Sequence, residues 1–190
     1  MVLFVDACVR EESRTKRLAE HLIRTLDVKC DHLRLDDCSF PKADAGFIKK
    51  RDSLLREGAL SDTMFDPARQ FAEAEEIIIA APFWDLSFPA VLKTYLEQIN
   101  VVGITFRYTE DGRPEGMCRA KRLFYVTTAG GTFLPGQYGF GYVEALAKNF
   151  YGIGEVEFIK AMGLDIEGAE TEKILQECEE EISRRFQTGS

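Results

Sequence analysis

The chain has 190 residues, of which 45% are hydrophobic and 29% are charged, and it carries a formal net charge of −8. This length and composition are typical of one globular domain, so we take residues 1–190 as a single domain. The negative charge disfavours nucleic acid as a partner, and no apolar run approaches the ~20 residues that a membrane span needs.

The amino end and the cysteines predict a cytoplasmic protein without a metal site. Residues 1–6 lack the basic region and the long apolar stretch of a secretory signal. The five cysteines are odd in number, widely spaced and include no Cys-x-x-Cys pair. They therefore predict neither a disulfide framework nor a zinc site.

Strands and helices alternate along the first half of the chain. Residues 2–7 predict a strand, and the segment after it predicts a helix with one apolar stripe. Residues 28–35 alternate between apolar and polar and predict an edge strand. Residues 36–64 form a long polar excursion, typical of a lid or an interface, with a short helix predicted at 47–55. A further helix is predicted at 66–75.

The third strand is the predicted centre of the sheet. Residues 77–81 are uninterrupted apolar side chains, three of them β-branched, as in a parallel strand that helices cover on both faces. Pro82 ends this strand, and Ser87 and Pro89 are predicted to cap the helix that follows. The apolar face of that helix consists of Leu92, Tyr95, Leu96 and Ile99.

The second half begins with an irregular segment and then returns to alternating strands and helices. Residues 102–116 alternate in hydrophobicity and contain an Asp-Gly turn, which predicts a small hairpin rather than a strand of the main sheet. A buried strand is predicted at 123–127 and an edge strand at 155–158. Helices are predicted at 139–151 and 170–186.

Together these patterns predict an α/β fold with a doubly wound, parallel, five-stranded sheet and helices on both faces. The second and fifth strands alternate in hydrophobicity and therefore belong at the edges, whereas the first, third and fourth contain continuous apolar runs and belong in the centre. That arrangement is the flavodoxin-like strand order 2-1-3-4-5. In such sheets, ligands bind at the carboxyl ends of the strands.

The loop after the first strand offers groups that bind an anion. It ends at the amino terminus of a helix and contains Arg10, Ser13 and Thr15, which suit a phosphate monoester. The alternative is that Ser13 is an ordinary helix cap and Arg10 a solvated surface charge. The sequence leaves both alternatives open.

Two other loops reach the same edge of the sheet. Phe83 and Trp84 follow the central strand. They either contact a ligand or cover the end of the hydrophobic core. Gly130 and Gly131 follow the fourth strand, where they either allow a flat ligand to approach the backbone or simply form a turn.

Other catalytic motifs are missing from the sequence. There is no Gly-x-Gly-x-x-Gly after the first strand and no Gly-x-x-x-x-Gly-Lys-Ser/Thr, so a dinucleotide-binding Rossmann domain and a P-loop enzyme are disfavoured. His21 and His32 have no evident serine or cysteine partner. We predict that both histidines are structural.

Four stretches of the sequence resemble the FMN-dependent NADH azoreductase and quinone reductase family. They are Pro-Phe-Trp-Asp-Leu at 82–86, Leu-Lys-Thr-Tyr-Leu at 92–96, Val-Gly-Ile-Thr-Phe-Arg-Tyr-Thr-Glu-Asp-Gly at 102–112, and Thr-Thr-Ala-Gly-Gly at 127–131. The resemblance covers nearly the whole chain in the same order. Its most specific part is Gly-Ile-Thr-Phe-Arg-Tyr at 103–108.

The resemblance implies a homodimer that binds FMN at the carboxyl edge of the sheet. The first loop would hold the phosphate, residues 82–86 would line one side of the isoalloxazine, and residues 128–131 would approach its pyrimidine end with backbone donors. Phe106 and Tyr108 would shape the pocket for substrate and nicotinamide. The implied FMN-binding residues are Cys8, Arg10, Ser13, Thr15, Pro82, Phe83, Trp84, Asp85, Leu86, Thr128, Ala129, Gly130 and Gly131.

The chain departs from the family pattern at two places. Trp84-Asp85 stands where the family commonly has Tyr-Asn, and Cys8-Val9-Arg10 stands where it commonly has Ser-Pro-Arg. An ionised Asp85 near the ring would oppose the negative charge of a reduced flavin and lower the driving force for reduction.

The implied reaction is a ping-pong relay in which NADH or NADPH reduces FMN and a quinone or azo compound then accepts two electrons. Because the flavin carries this chemistry, no catalytic side chain and no metal are expected. The main alternative is a flavodoxin-type electron carrier that turns over no small molecule. A third possibility is a structural or regulatory module that binds no cofactor.

Overall fold

The computed structural model describes residues 1–187 and contains seven strands and six α-helices in that range. The strands are β1 (Val2–Asp6), β2 (Cys30–Arg34), β3 (Glu76–Ala80), β4 (Phe106–Tyr108), β5 (Pro114–Gly116), β6 (Arg122–Thr128) and β7 (Glu155–Ala161). The α-helices are α1 (Arg14–Leu26), α2 (Ala45–Arg56), α3 (Asp66–Glu73), α4 (Ala90–Ile99), α5 (Phe140–Leu146) and α6 (Thr171–Phe186). Short 3₁₀ turns lie at Leu35–Asp37 and Thr63–Phe65.

Five parallel strands form the main sheet in the order β2-β1-β3-β6-β7. This order confirms the prediction 2-1-3-4-5, because β6 and β7 are the fourth and fifth strands of the sheet. The central strand β3 is buried from Ile77 to Ala80, and the edge strand β2 is only half-buried. The difference in burial matches the difference in hydrophobic pattern from which the order was predicted.

Helices cover the sheet on both faces. Leu3, Ile77 and Ile79 point to the face that α3, α4 and α5 cover. Phe4 and Ile78 point to the opposite face, which α1 and α6 cover. Consecutive strand residues therefore enter different halves of the core, as the two-residue period of a strand requires.

The predicted hairpin forms outside the main sheet. β4 and β5 pair antiparallel, and Phe106 packs edge-on against Phe150 at a ring separation of 4.8 Å. Gly116 lies against the backbone of Tyr151 and Gly152, at the end of the helical segment that begins with α5. The hairpin is thus fixed to the body of the domain by aromatic packing and by one close backbone approach.

The structure corrects two details of the predicted helices. Ser87 does not cap α4: its hydroxyl donates to the carbonyl of Tyr138 at 3.1 Å, because the backbone of Ser87 already closes a tight turn with Trp84. Pro89 is the N-cap, without a side-chain hydrogen bond. The helix predicted at 139–151 is α-helical only to Leu146 and continues as a π turn over Ala147–Tyr151.

The long excursion between β2 and α3 contains the predicted helix, with wider bounds. α2 begins after its N-cap Asp44, whose carboxylate accepts from the N–H of Phe47 at 2.9 Å. None of its residues is fully buried, so it lies on the surface of the domain. Within the described residues, no helix has the length and hydrophobicity to cross a membrane.

Candidate functional site

The carboxyl ends of β1, β3 and β6 open onto a cavity of about 320 Å³. The cavity lies at the point where the order of the strands reverses, since β1 and β3 are neighbours but are followed by helices on opposite faces of the sheet, α1 and α4. Nine of the residues that the sequence assigned to FMN line it. They are Arg10, Ser13, Thr15, Pro82, Phe83, Trp84, Thr128, Ala129 and Gly130.

The first loop presents unpaired backbone donors to the cavity. Ser13 is the N-cap of α1, and its hydroxyl accepts from the N–H of Lys16 at 3.3 Å. The N–H groups of residues 10–15 have no acceptor in the described part of the chain. The capping role of Ser13 is therefore compatible with an anion site, because the cap occupies only one donor and leaves the loop free.

Thr15 connects this loop to β6. Its hydroxyl lies 2.6 Å from the hydroxyl of Thr128, and both side chains are buried. The contact joins the first turn of α1 to the carboxyl end of β6, which are 113 residues apart in the sequence. Two walls of the cavity are thus held at a fixed separation.

The loop after β3 forms a two-residue turn. The N–H of Trp84 donates to the carbonyl of Ser87 at 3.1 Å, and the N–H of Ser87 donates back at 2.7 Å. The two central residues, Asp85 and Leu86, both have positive φ, at 49° and 70°. This is the geometry of a type I′ turn, in which a leucine is strained. The turn leaves the Trp84 side chain 39% exposed at the mouth of the cavity.

The loop after β6 is held from outside by the loop after β7. The carbonyl groups of Ala129, Gly130 and Gly131 accept from the N–H groups of Leu164, Asp165 and Gly163, respectively. The N–H groups of Gly130 and Gly131 have no acceptor among residues 1–187. The backbone donors of this loop thus remain free for a ligand while its acceptors are occupied.

Gly130 is required by a close contact with Asp165. A Cβ atom at position 130 would lie 2.3 Å from the Oδ2 atom of Asp165. The same carboxylate accepts a hydrogen bond from Arg14 at 2.6 Å. This ion pair lies across the edge of the cavity and connects the first loop to the loop after β7.

The sequence prediction missed five residues that line the cavity. Arg14 and Glu12 lie within the loop that was predicted, from which only Cys8, Arg10, Ser13 and Thr15 had been chosen. Leu164 and Asp165 follow β7, and the rule that ligands bind at the carboxyl ends of parallel strands would have included that loop. The missed residues are Val9, Glu12, Arg14, Leu164 and Asp165.

Four of the residues assigned to FMN are absent from the lining of the cavity in the described structure: Cys8, Asp85, Leu86 and Gly131. Cys8 is buried beneath the first loop, with its Sγ atom 3.8 Å from the carbonyl oxygen of Ala80. Burial raises the pKa of the Cys8 thiol to about 12, so it is neutral at physiological pH. Asp85 and Leu86 form the exposed tip of the turn.

The two residues assigned to the substrate also lie away from this cavity. Phe106 is buried between Tyr108 and Phe150. Tyr108 is 55% exposed on the outer side of the hairpin. Within one protomer, neither side chain lines the cavity.

The composition of the cavity fits a flat, phosphorylated ligand such as FMN. One end has unpaired N–H groups, hydroxyls and the amino terminus of a 13-residue helix, which suit a phosphate group. The other end has an exposed indole and the free N–H group of Gly130, which suit a ring with polar edges. No cluster of potential metal ligands occurs in the part of the chain that the structure describes.

Comparisons with known proteins identify the family to which the chain belongs. Residues 1–186 match the family model described as "Flavodoxin-like fold". A protein of Coprothermobacter proteolyticus named FMN-dependent NADH:quinone oxidoreductase is 34% identical, over 97% of this chain and 98% of its own length. A protein of Clostridium beijerinckii with the same name is 32% identical, over 93% of each chain.

The fold is also similar to that of a solved azoreductase from Bacillus anthracis, with a TM-score of 0.83, 25% identity and 96% of each chain covered. The sequence relatives span nearly the full length of this chain. The chain therefore belongs to the family of FMN-dependent NADH azoreductases and quinone reductases, an oxidoreductase family with a flavodoxin-like fold.

Proposed function

We propose that this protein binds FMN in the cavity and uses it to transfer two electrons from NADH or NADPH to a quinone or an azo compound, by a ping-pong mechanism. The observation that carries the proposal is the convergence of three loops on one cavity with free N–H donors at both of its ends. Relatives named FMN-dependent NADH:quinone oxidoreductase support FMN as cofactor and NADH as donor.

In the proposed complex, the first loop holds the phosphate group. Arg10, Ser13 and Thr15 supply a charge and two hydroxyls next to the unpaired N–H groups. Arg14 adds a second guanidinium, although Asp165 already balances its charge. Because charge-assisted hydrogen bonds are about twice as strong as neutral ones, we expect the phosphate to supply a large part of the binding free energy.

The ring is proposed to lie between the turn after β3 and the loop after β6. Pro82, Phe83 and Trp84 form an apolar and aromatic wall. The N–H group of Gly130, which lines the cavity, would donate a hydrogen bond to an oxygen or nitrogen atom at the ring edge. Such preorganised donors stabilise negative charge there without reorganisation of the protein.

FMN, when bound, supplies the capacity to accept and return a hydride equivalent. The residues of this chain bind and orient it, limit access of water and bias its charge. Trp84 is half-exposed at the mouth, where its indole offers a surface on which a flat nicotinamide, quinone or azo compound stacks. In this proposal, donor and acceptor would use the same mouth of the cavity in turn.

We further propose a cytoplasmic homodimer. All five cysteines are free thiols, which suits a reducing compartment. Leu86 and Tyr138 are exposed near the mouth of the cavity and are available to a second protomer. Light scattering after size exclusion would measure a mass near twice 21.5 kDa if the dimer forms.

The decisive experiment is anaerobic reduction of the FMN-loaded protein. Stopped-flow mixing with NADH and, separately, with NADPH is expected to bleach the flavin absorbance, and subsequent addition of a quinone is expected to restore it. A flavodoxin-type carrier would not be reduced directly by either nicotinamide. Protein that fails to quench the fluorescence of added FMN would contradict the assignment of the cofactor.

The phosphate site is tested with Ser13→Ala. Loss of the hydroxyl is expected to weaken binding of FMN by roughly tenfold and to leave binding of riboflavin, which has no phosphate, unchanged. Ser53→Ala is the matched control, because the Ser53 hydroxyl lies on α2 and contacts Glu57 there. Equal losses for FMN and riboflavin would place the phosphate elsewhere.

A further inference from the structure

A fully buried carboxylate lies beneath the first loop. Asp6 is the last residue of β1 and has no exposed surface. Its Oδ1 atom accepts from the backbone N–H of Cys8 at 2.9 Å, which fixes the start of the loop. Its Oδ2 atom lies 3.1 Å from Nε2 of His32 and 3.4 Å from Nζ of Lys16. The carboxylate thus connects β1, β2, the first loop and the first turn of α1.

The geometry of His32 permits a change of charge in this network. The ring stacks on Phe4 with a centroid separation of 4.5 Å and an interplanar angle of 19°, which orients Nε2 toward Asp6. Its side chain is 39% exposed, so protons exchange with solvent. Histidine is the side chain that ordinarily changes charge between about pH 5 and pH 8. A proton on His32 would add one positive charge next to the contact between Asp6 and Lys16, beneath the first loop.

We propose that His32 is a positioning residue for the phosphate group of FMN, acting through Asp6, and that binding of FMN is coupled to protonation of His32. The inference rests on the proposed function, in that it assigns a phosphate to the first loop. A protonated His32 donates a charge-assisted hydrogen bond to Asp6 and holds the carboxylate that anchors Cys8. It also offsets the repulsion between the buried carboxylate and a dianionic phosphate.

Four other ionisable side chains lie around His32 and Asp6. Arg34 is the register partner of Asp6 on β2. Cys30 lies on the same face of β2, and burial raises the pKa of its thiol. Cys8, beneath the loop, has its pKa raised to about 12 by burial. Lys16 contributes the ammonium group that lies 3.4 Å from Oδ2 of Asp6.

The effect of His32 on FMN binding can be distinguished from the effect of phosphate ionisation, because the two change with pH in opposite directions. The phosphate of free FMN loses its second proton near pH 6, which favours binding as pH rises. Protonation of His32 favours binding as pH falls. The two are separated by comparing the wild-type protein with His32→Gln at each pH, because glutamine keeps a donor toward Asp6 but cannot become charged.

The first test measures dissociation constants for FMN by fluorescence quenching at about pH 5.5 and about pH 8.5. We expect His32→Gln to bind FMN roughly fivefold more weakly than wild type at the lower pH, and equally well at the higher pH. Binding of riboflavin should be the same for both proteins at either pH. His21→Gln is the matched control, since His21 contacts Ser183 on α6 and not the loop. Its dissociation constants for FMN should equal those of the wild type at both pH values.

The second test follows the ring protons of His32 by NMR, with assignment from the His32→Gln spectrum. By reciprocity, saturating FMN should move the midpoint of the His32 titration to higher pH, and riboflavin should not move it. A ratio of dissociation constants that is independent of pH, or a titration midpoint that FMN leaves unchanged, overturns the inference while FMN binding itself stands. Failure of wild type to bind FMN overturns both the inference and the proposed function.

Discussion

The hydroxyl groups of Thr15 and Thr128 lie 2.6 Å apart, and each is the other's only side-chain partner among the described residues. One comes from the first turn of α1 and the other from the last residue of β6. This contact holds the proposed phosphate loop against the strand whose loop carries Gly130. It is therefore a structural element of the cavity as well as a source of hydroxyl groups within it.

Thr128→Val should destabilise the protein, because it leaves the buried hydroxyl of Thr15 without a partner. We expect the free energy of unfolding in urea to fall by about 1–3 kcal/mol. The double variant Thr15→Val/Thr128→Val removes both hydroxyls and should lose less than the sum of the single variants. Additive losses would show that the two groups do not interact. Thr132→Val, at an exposed position of the neighbouring loop, is the control.

Gly116→Ala should detach the hairpin from the domain. A Cβ atom at this position would lie 2.0 Å from the backbone nitrogen of Gly152, and a backbone atom cannot move aside as a flexible side chain does. We expect a loss of about 2–4 kcal/mol in the free energy of unfolding. Gly154→Ala is the control, because no atom lies within 4 Å of its Cβ position. Equal stability of the two variants would refute this account of how the hairpin is held.

Leu86→Gly should stabilise the protein even though it removes an apolar side chain. Leu86 has φ 70° and is 45% exposed, so relief of backbone strain should exceed the loss of packing. We expect the free energy of unfolding to increase by about 0.5–1 kcal/mol. A residue other than glycine costs about 1–2 kcal/mol in the left-handed conformation, but glycine loses more conformational entropy on folding, which offsets part of the gain. Leu86→Val should destabilise the protein, because β-branched residues disfavour the left-handed conformation. Thermal unfolding of both variants distinguishes strain from packing.

The buried thiols should make the protein sensitive to alkali. Burial raises the pKa of Cys8 and of Cys118 from 9.0 to about 12. A group whose pKa is raised in the folded state contributes stability below its unfolded pKa, and this stability is lost as pH rises toward the folded pKa. We therefore expect the free energy of unfolding to decline between about pH 9 and pH 12. Cys8→Ala/Cys118→Ala should show a smaller decline, and native protein at pH 8 should leave both thiols unlabelled by a maleimide.

Asp85→Asn tests the departure from the family pattern. If FMN binds as proposed, the carboxylate at the tip of the turn opposes negative charge on the reduced ring. Asp85 is exposed, so solvent screens its charge and removal should raise the two-electron midpoint potential by only about 10–20 mV. Spectroelectrochemistry of the FMN-loaded variant and wild type measures the difference. A fall in potential would contradict the proposed position of the turn.

The strand order was determined by the sequence alone. Residues 77–81 are apolar on both faces, and such a strand is stable only between two layers of helices. The alternation at 28–35 and 155–158 requires one face in solvent, which occurs at the edges. Hydrophobic periodicity depends only on residues that are neighbours in the sequence, so it can be recognised without the tertiary structure. Six of the residues that line the cavity were named from the loops that follow the apolar strands: Arg10, Ser13, Thr15, Phe83, Trp84 and Gly130. The resemblance to a known family implied three more, Pro82, Thr128 and Ala129.

Only the tertiary structure decided which distant side chains meet. The pairing of Arg14 with Asp165 and that of Asp6 with His32 join segments 151 and 26 residues apart, and neither leaves a periodic signal in the sequence. Ser87 is a second example. Its local sequence predicts a helix cap, but its backbone forms the turn with Trp84 and its hydroxyl donates to the carbonyl of Tyr138. Local patterns specify which surfaces must be buried, whereas hydrogen bonds across the cavity depend on distances that exist only once those surfaces have packed.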